Sequence, residues 1–130
     1  MIEQTALIVS TWHYHPPAKT IGENEHIANY TSLEVQKKRA ATKKGIACRF
    51  SCRFNYENET ILEYTGEDSY VIDFEDRIDK NELLKMIRNS FSKFKETFEL
   101  RKSGTVLQFR SLQTLNESMI DIDAILPLLV

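Results

Sequence analysis

His13 and His15, with Trp12 and Tyr14 interleaved, are the residues whose types and spacing come closest to a ligand pair. On an extended chain, residues two apart face the same side. The two imidazoles could therefore share a metal ion or a proton, with His26 or Glu25 on the following loop as a third ligand. Nothing in the spacing demands a metal, and the plainer expectation is a pair of polar tips at the end of an edge strand stopped by Pro16-Pro17. Cys48 and Cys52 form the second pair. They sit in a stretch of strict alternation, where four residues of rise separate them by roughly 13 Å. A disulfide tolerates no more than about 7 Å between Cα atoms, and thiolates so far apart cannot share a zinc ion at about 2.3 Å. We expect reduced core thiols and no metal.

Five positive charges, Lys37, Lys38, Arg39, Lys43 and Lys44, fall within eight residues. They could form a local phosphate-binding patch, extended by Arg49 and Arg53 on the adjoining strand. No aromatic side chain is interleaved for base stacking, and lysines guarding a sheet edge account for the run equally well. Asp68, Asp73, Glu75, Asp76 and Asp79 gather near the end of the last strand, where helix capping and solvation compete with cation binding. Walker loops, nucleophile elbows, GxGxxG, HExxH and CxxC are all absent. The chain is accordingly not expected to be an enzyme, nor to carry a cofactor. With 17 basic and 19 acidic residues in 130 and a formal net charge of −2, no global field draws it to nucleic acid or an anionic membrane. That length fits one domain, residues 1–130.

The elements that must position these side chains follow from periodicity. Ile46, Cys48, Phe50, Cys52, Phe54 and Tyr56 alternate with Ala47, Arg49, Ser51, Arg53 and Asn55, a half-buried antiparallel strand. After the polar break Glu57-Asn58-Glu59, strand character resumes from Thr60 to Phe74, with Gly66 placed to allow a bulge. Upstream, Thr5 to Tyr14 reads as a first strand and Tyr30 to Thr42 as a second, joined by a polar loop over Ala18 to Asn29. From Leu83 the period changes: Leu83, Ile87, Phe91, Phe94 and Phe98 line one face of a helix over about Lys80 to Lys102. Asp79 supplies its N-cap, with Glu82 three residues on, and Gly104 its C-terminal stop. Val106 to Leu115 is a connector, and Ile120 to Leu129 a short second helix or turn.

Two stretches carry a resemblance to a known family. Ile61-Leu62-Glu63-Tyr64-Thr65-Gly66 leading into Tyr70-Val71-Ile72-Asp73-Phe74 is similar to the last strand of the SecB-like protein-export chaperones. Ile120-Asp121-Ile122-Asp123-Ala124-Ile125-Leu126 resembles the stretch that opens their final helix. The resemblance covers roughly residues 46–130. It implies an α+β fold in which a four-stranded antiparallel sheet is followed by a long amphipathic helix and a short C-terminal helix. It also implies ATP-independent binding of unfolded or apolar client segments by a dimer or a dimer of dimers.

On that reading Trp12, Tyr14, Phe50, Phe54, Tyr64 and Tyr70 are candidates for the client groove, because a sheet covered by one helix leaves apolar surface to occupy. A helix of that length, on the order of 34 Å, outruns a typical strand of about 17 to 20 Å. Ile87, Phe91, Phe94 and Phe98 are therefore expected to overhang the sheet and meet a second subunit. The alternatives are a nucleic-acid-associated adaptor using Lys37, Lys38, Arg39, Lys43 and Lys44, or a structural interaction protein without chaperone activity. The start of the chain lacks a basic n-region, and Ala6-Leu7-Ile8-Val9 is too short for a signal or membrane segment, so the cytoplasm is the expected compartment.

Overall fold

The alternation that begins at Ile46 becomes the central strand of an antiparallel sheet. A computed structural model describes residues 2–22, 24–39 and 42–129. It contains strands β1 (Ile2–Gln4), β2 (Ile8–Tyr14), β3 (Ala28–Arg39), β4 (Lys43–Tyr56) and β5 (Glu59–Asp73), then helix α1 (Lys80–Arg101) and helix α2 (Ile122–Ile125). Short 3-10 turns at Glu117–Met119 and Leu126–Leu129 flank α2. The order across the sheet is β3, β4, β5, with β1 and β2 lying in tandem along the far edge of β5.

The sheet thus has five strands where four were expected, and Thr5 is the reason. Its hydroxyl, rather than its carbonyl, accepts the Ser69 N–H at 2.9 Å, while its carbonyl takes Lys93 Nζ at 3.2 Å. With that carbonyl withdrawn the ladder breaks, Leu7 packs onto the core, and the chain rejoins β5 at Ile8. The irregularity expected near Gly66 lies across from it: Val9 pairs with Gly66 and Thr11 with Thr65, leaving Ser10 as the extra residue. Gly66 is needed for space, because a Cβ there would sit 3.0 Å from Phe94 Cδ1.

One face of the sheet buries Ile46, Cys48, Phe50, Cys52 and Phe54 of β4 beside Leu62, Tyr64, Tyr70 and Ile72 of β5. Against it α1 lays Leu83, Met86, Ile87, Phe91, Phe94 and Phe98. The Asp79 carboxylate accepts the Glu82 N–H at 2.8 Å at one end of α1, and Gly104 takes φ +81° beyond the other, as a helix stop requires. Tyr64 and Phe94 stack with centroids 4.1 Å apart, Phe54 and Phe98 at 5.4 Å, and Phe50 and Phe94 at 5.2 Å. Both buried tyrosine hydroxyls donate to helix carbonyls, Tyr64 to Phe94 at 2.8 Å and Tyr70 to Met86 at 2.9 Å, so neither polar tip is stranded in the core. Cys48 and Cys52 are free and buried; burial raises their thiols to about 12 and about 11, which keeps them protonated and unreactive.

This packing corrects the expected subunit contact. The 14 and 15 residues of β4 and β5 extend to roughly 45 to 50 Å, against roughly 33 Å for the 22 residues of α1. The helix is therefore shorter than the strands it packs on. Ile87, Phe91, Phe94 and Phe98 are buried by the chain's own sheet, leaving nothing of that stripe for a second copy.

Candidate functional site

Two loops meet at the end of the sheet where β2 stops and α1 ends. Pro16-Pro17 halts β2 just after the His15 N–H has donated to the Ile61 carbonyl at 2.7 Å, and the chain then runs outward through Ile21 and Gly22. From the other side, the turn after α1 is held by its own polar groups. Thr105 Oγ1 donates to the Lys102 carbonyl at 2.6 Å and accepts the Leu107 N–H at 3.1 Å, while Lys102 Nζ donates to the Arg110 carbonyl at 2.6 Å. Two contacts tie the loops together: the Val106 N–H donates to the Tyr14 hydroxyl at 3.1 Å, and the Arg110 guanidinium reaches the Gly22 carbonyl at 3.4 Å.

Between them lies an open cleft of about 850 Å³ whose lining mixes apolar side chains, Pro16, Pro17, Ile21, Val106 and Phe109, with the polar Lys19, Thr20, Asn24, Gln108 and Arg110. Leu107 points inward and is fully buried, but Phe109 is 84% exposed and Val106 38%. A whole phenyl ring is thus presented to solvent on a turn that hydrogen bonds keep in place. A second, smaller groove of about 410 Å³ runs along the edge strand, where Leu33 and Val35 of β3 face Leu115, Ile120 and Ile125 of the C-terminal segment. Residues 110–116, which belong to no helix or strand, join the two regions, anchored by the Gln113 N–H donating to Asn29 Oδ1 at 3.0 Å.

Of the six aromatics expected in a groove, four are corrected: Phe50, Phe54, Tyr64 and Tyr70 are core side chains, at most 4% exposed, because each stacks on or bonds to α1. Trp12 and Tyr14 are half-buried, and of the two Tyr14 contacts a residue of the cleft. Trp12 packs edge-on to Tyr64 at 5.2 Å with the Arg101 guanidinium over its ring, and Tyr14 holds the Val106 turn. Of the residues that line the cleft, Val106, Phe109 and Arg110 fall in the stretch that reads as a connector, and Ile21 in the one that reads as a polar loop. Leu107 and Phe109 carry the same local pattern, and only the three-dimensional turn separates a buried side chain from an exposed one.

His13 and His15 are both exposed, and among the described residues no group of three or more His, Cys, Asp or Glu side chains is placed to hold a metal ion. The five basic residues do not form one patch. Lys37 and Lys38 project to opposite faces of β3, and Arg39 lies over the Phe74 ring at 5.8 Å. Lys43 pairs with Asp73, and Lys44 turns inward and is 7% exposed. The hairpin tip at Ala40 and Ala41 lies outside the described residues. On the open face, Arg49 is registered between Glu34 and Glu67, and Arg53 beside Glu63 with Tyr30 beneath it, so the extension of the patch is neutralised as well. The acidic group near the end of β5 is likewise dispersed: Asp79 caps α1, Asp73 pairs with Lys43, and Asp68 is buried, accepting from Gln4 Nε2 at 2.8 Å.

With this geometry the chain can be set beside known structures. A SecB-like chaperone of Mycobacterium tuberculosis, solved in complex with a ChAD peptide from the HigA1 antitoxin, superimposes with a TM-score of 0.56 and 14% identity over 88% of this chain and 90% of that one. A protein of unknown function from Streptococcus agalactiae does so with a TM-score of 0.52 and 11% identity over 89% of this chain and 97% of its own. The likeness is one of fold. No protein-family model and no curated protein sequence matches the chain. Among the described residues no helix is long and apolar enough to cross a membrane.

Proposed function

We propose that this chain is an ATP-independent, SecB-like binding module that holds apolar segments of a client protein. The observation that carries the reading is Phe109, an almost fully exposed aromatic ring on a braced turn at the lip of the cleft. An isolated exposed leucine or valine is ordinary surface. A phenyl ring beside Pro16, Pro17, Ile21 and Val106 in a concavity within the usual range of ligand sites, roughly 300 to 1,000 Å³, is a place for an apolar guest. The SecB-like fold neighbour, itself solved with a peptide bound, supports the same class of partner. The reading replaces the buried aromatics with Ile21, Val106 and Phe109 as the contact residues, with Tyr14 behind them and the Leu33–Val35 groove as a continuation.

The test is binding of an apolar, unstructured peptide followed by fluorescence anisotropy, together with suppression of aggregation of a chemically unfolded client. Micromolar binding that weakens in Phe109→Ser, with unchanged circular dichroism, is the expected result. Peptide binding without aggregation suppression would reduce the role to a partner-specific interaction module. Failure of both assays would remove the proposal. The basic segment has no comparable observation behind it, since its charges are divided between two faces and three of its five side chains are engaged with the end of β5.

A further inference from the structure

The opposite end of the sheet holds a chamber of different chemistry. It encloses about 510 Å³ between the start of β4, the turn after β5 and the last 3-10 turn, with Phe74, Ile78, Leu126 and Leu129 as apolar walls. Lys44 lines it. The side chain stands on the same face of β4 as Ile46 and Cys48, and the last turn closes over it, so that it is 7% exposed. Its Nζ donates to the Phe74 carbonyl at 3.3 Å. An ammonium has three N–H groups, and among the described residues this one long bond to a neutral acceptor is what engages them. Among the described residues no ion pair reaches it, since the neighbouring carboxylate of Asp73 is taken by Lys43 on the other face. Among the described residues Lys44 is thus a buried cation with no carboxylate partner, and an anion in the chamber would pair with it.

The rim sets the class of anion. Arg77 and Glu75 both stand exposed at the opening, one cation and one anion. A dianion such as phosphate would meet Glu75 and would waste the four apolar walls. A single carboxylate could accept from Lys44 while its hydrocarbon tail lies on Ile78, Leu126 and Leu129. We propose that this chamber binds a monocarboxylate carrying a short apolar tail. Two sources share that chemistry: a free medium-chain carboxylic acid, and the C-terminal carboxylate of a polypeptide ending in an apolar residue. The site is separate from the Phe109 cleft and does not depend on the client-binding reading.

Calorimetric titration of the full chain with octanoate, and with octan-1-ol as its uncharged counterpart, reads the charge requirement. Octanoate is expected to bind about tenfold or more tightly than the alcohol, the range set by a hydrogen bond to a charged partner. Lys44→Met keeps the stem and removes the charge, so it is expected to abolish that preference while circular dichroism stays unchanged. Because a buried lysine sometimes supports its surroundings, a second variant, Leu126→Glu, places a competing carboxylate at the wall and is expected to weaken octanoate on an intact Lys44. A peptide ending in leucine, with its C-terminus free or amidated, separates the sources: preference for the free-acid peptide over octanoate identifies a polypeptide end, and the reverse a small acid. Equal binding of octanoate and octanol, unchanged octanoate binding in Lys44→Met, or no binding of any carboxylate at millimolar concentration would overturn the proposal. Phe109→Ser is expected to leave octanoate binding unchanged, which distinguishes failure of this site from failure of the cleft.

Discussion

Tyr64 and Phe109 are both aromatic residues flanked in sequence by polar neighbours, Glu63 and Thr65 in one case and Gln108 and Arg110 in the other, yet one is sealed in the core and the other stands in water. Tyr64 is fully buried, stacked on Phe94 and bonded through its hydroxyl to the Phe94 carbonyl. Phe109 has its backbone turn braced by Thr105 and Lys102 and its ring left 84% exposed. In the first region every part of the side chain has a partner within the chain, so its chemistry is spent on stability. In the second the backbone is satisfied and the side chain is not. The contrast shows that abundance of aromatics says little about where a partner binds, whereas an apolar side chain held in place without a partner says a good deal.

Mutation of each region should therefore produce opposite signatures. Phe94→Ala removes the ring shared by Tyr64, Phe50 and Phe91, and the lost burial plus the cavity should cost about 3 to 5 kcal/mol in chemical denaturation. Peptide affinity of the fraction that remains folded should hardly change. A loss below about 1 kcal/mol would mean the site collapses freely and the core is less tightly specified than its stacking implies. Phe109→Ser should do the reverse. Its stability should stay within about 0.5 kcal/mol of wild type. Losing the burial of one phenyl ring, worth about 1.5 to 3 kcal/mol on binding, should weaken an apolar peptide by about 10- to 100-fold. An unchanged peptide affinity would place the client elsewhere, with the Leu33–Val35 groove the next candidate.

Gly66→Ala sharpens the comparison with a smaller perturbation. The new methyl would lie 3.0 Å from Phe94 Cδ1 and 3.3 Å from Leu7 Cδ1, and Phe94 cannot retreat because Tyr64 stacks on its ring. Overpacking of this kind should cost about 1 to 3 kcal/mol in the same denaturation experiment. If the variant is as stable as wild type, the stack has slack, and the distinction between a rigid core and an open cleft is weaker than drawn.

What the sequence made legible is what repeats along the chain. The alternation of β4 identifies the face that packs on α1, although Ala47 on the other face is buried as well, and the 3.6 period of α1 names Leu83, Ile87, Phe91, Phe94 and Phe98 as the side that packs. Asp79 is recognisable as a cap because the carboxylate and the Glu82 N–H it accepts are local. Properties set by distant partners were not legible. The break at Thr5 depends on Ser69, 64 residues away. The expected overhang of the helix came from assuming strands of ordinary length, whereas β4 and β5 are longer than α1. Exposure of Phe109 depends on where two loops meet. Lys44 is an intermediate case: it shares the period of Ile46 and Cys48, so the alternation already placed a lysine on the buried face, but its membership of a charged run concealed it.

The smallest effect is expected where neither region is involved. Lys43 and Asp73 pair across the end of the β4–β5 ladder, away from both the aromatic stack and the Phe109 cleft. The Lys43 ammonium holds the Asp73 carboxyl down to about 2 from its ordinary 3.8. A carboxyl that is more acidic in the folded chain than in the unfolded one favours folding when ionised. Its contribution is therefore complete above about pH 4 and is lost as pH falls toward about 2, where the folded form also takes up a proton. Both groups are near the surface and screened, so the change should be modest. Asp73→Asn should lower the denaturation midpoint slightly at neutral pH and flatten its dependence between about pH 4 and 2, because the variant has no proton to gain there. Added salt should narrow the gap between wild type and variant. A variant that keeps the full wild-type slope in that window would show that another carboxyl governs acid stability.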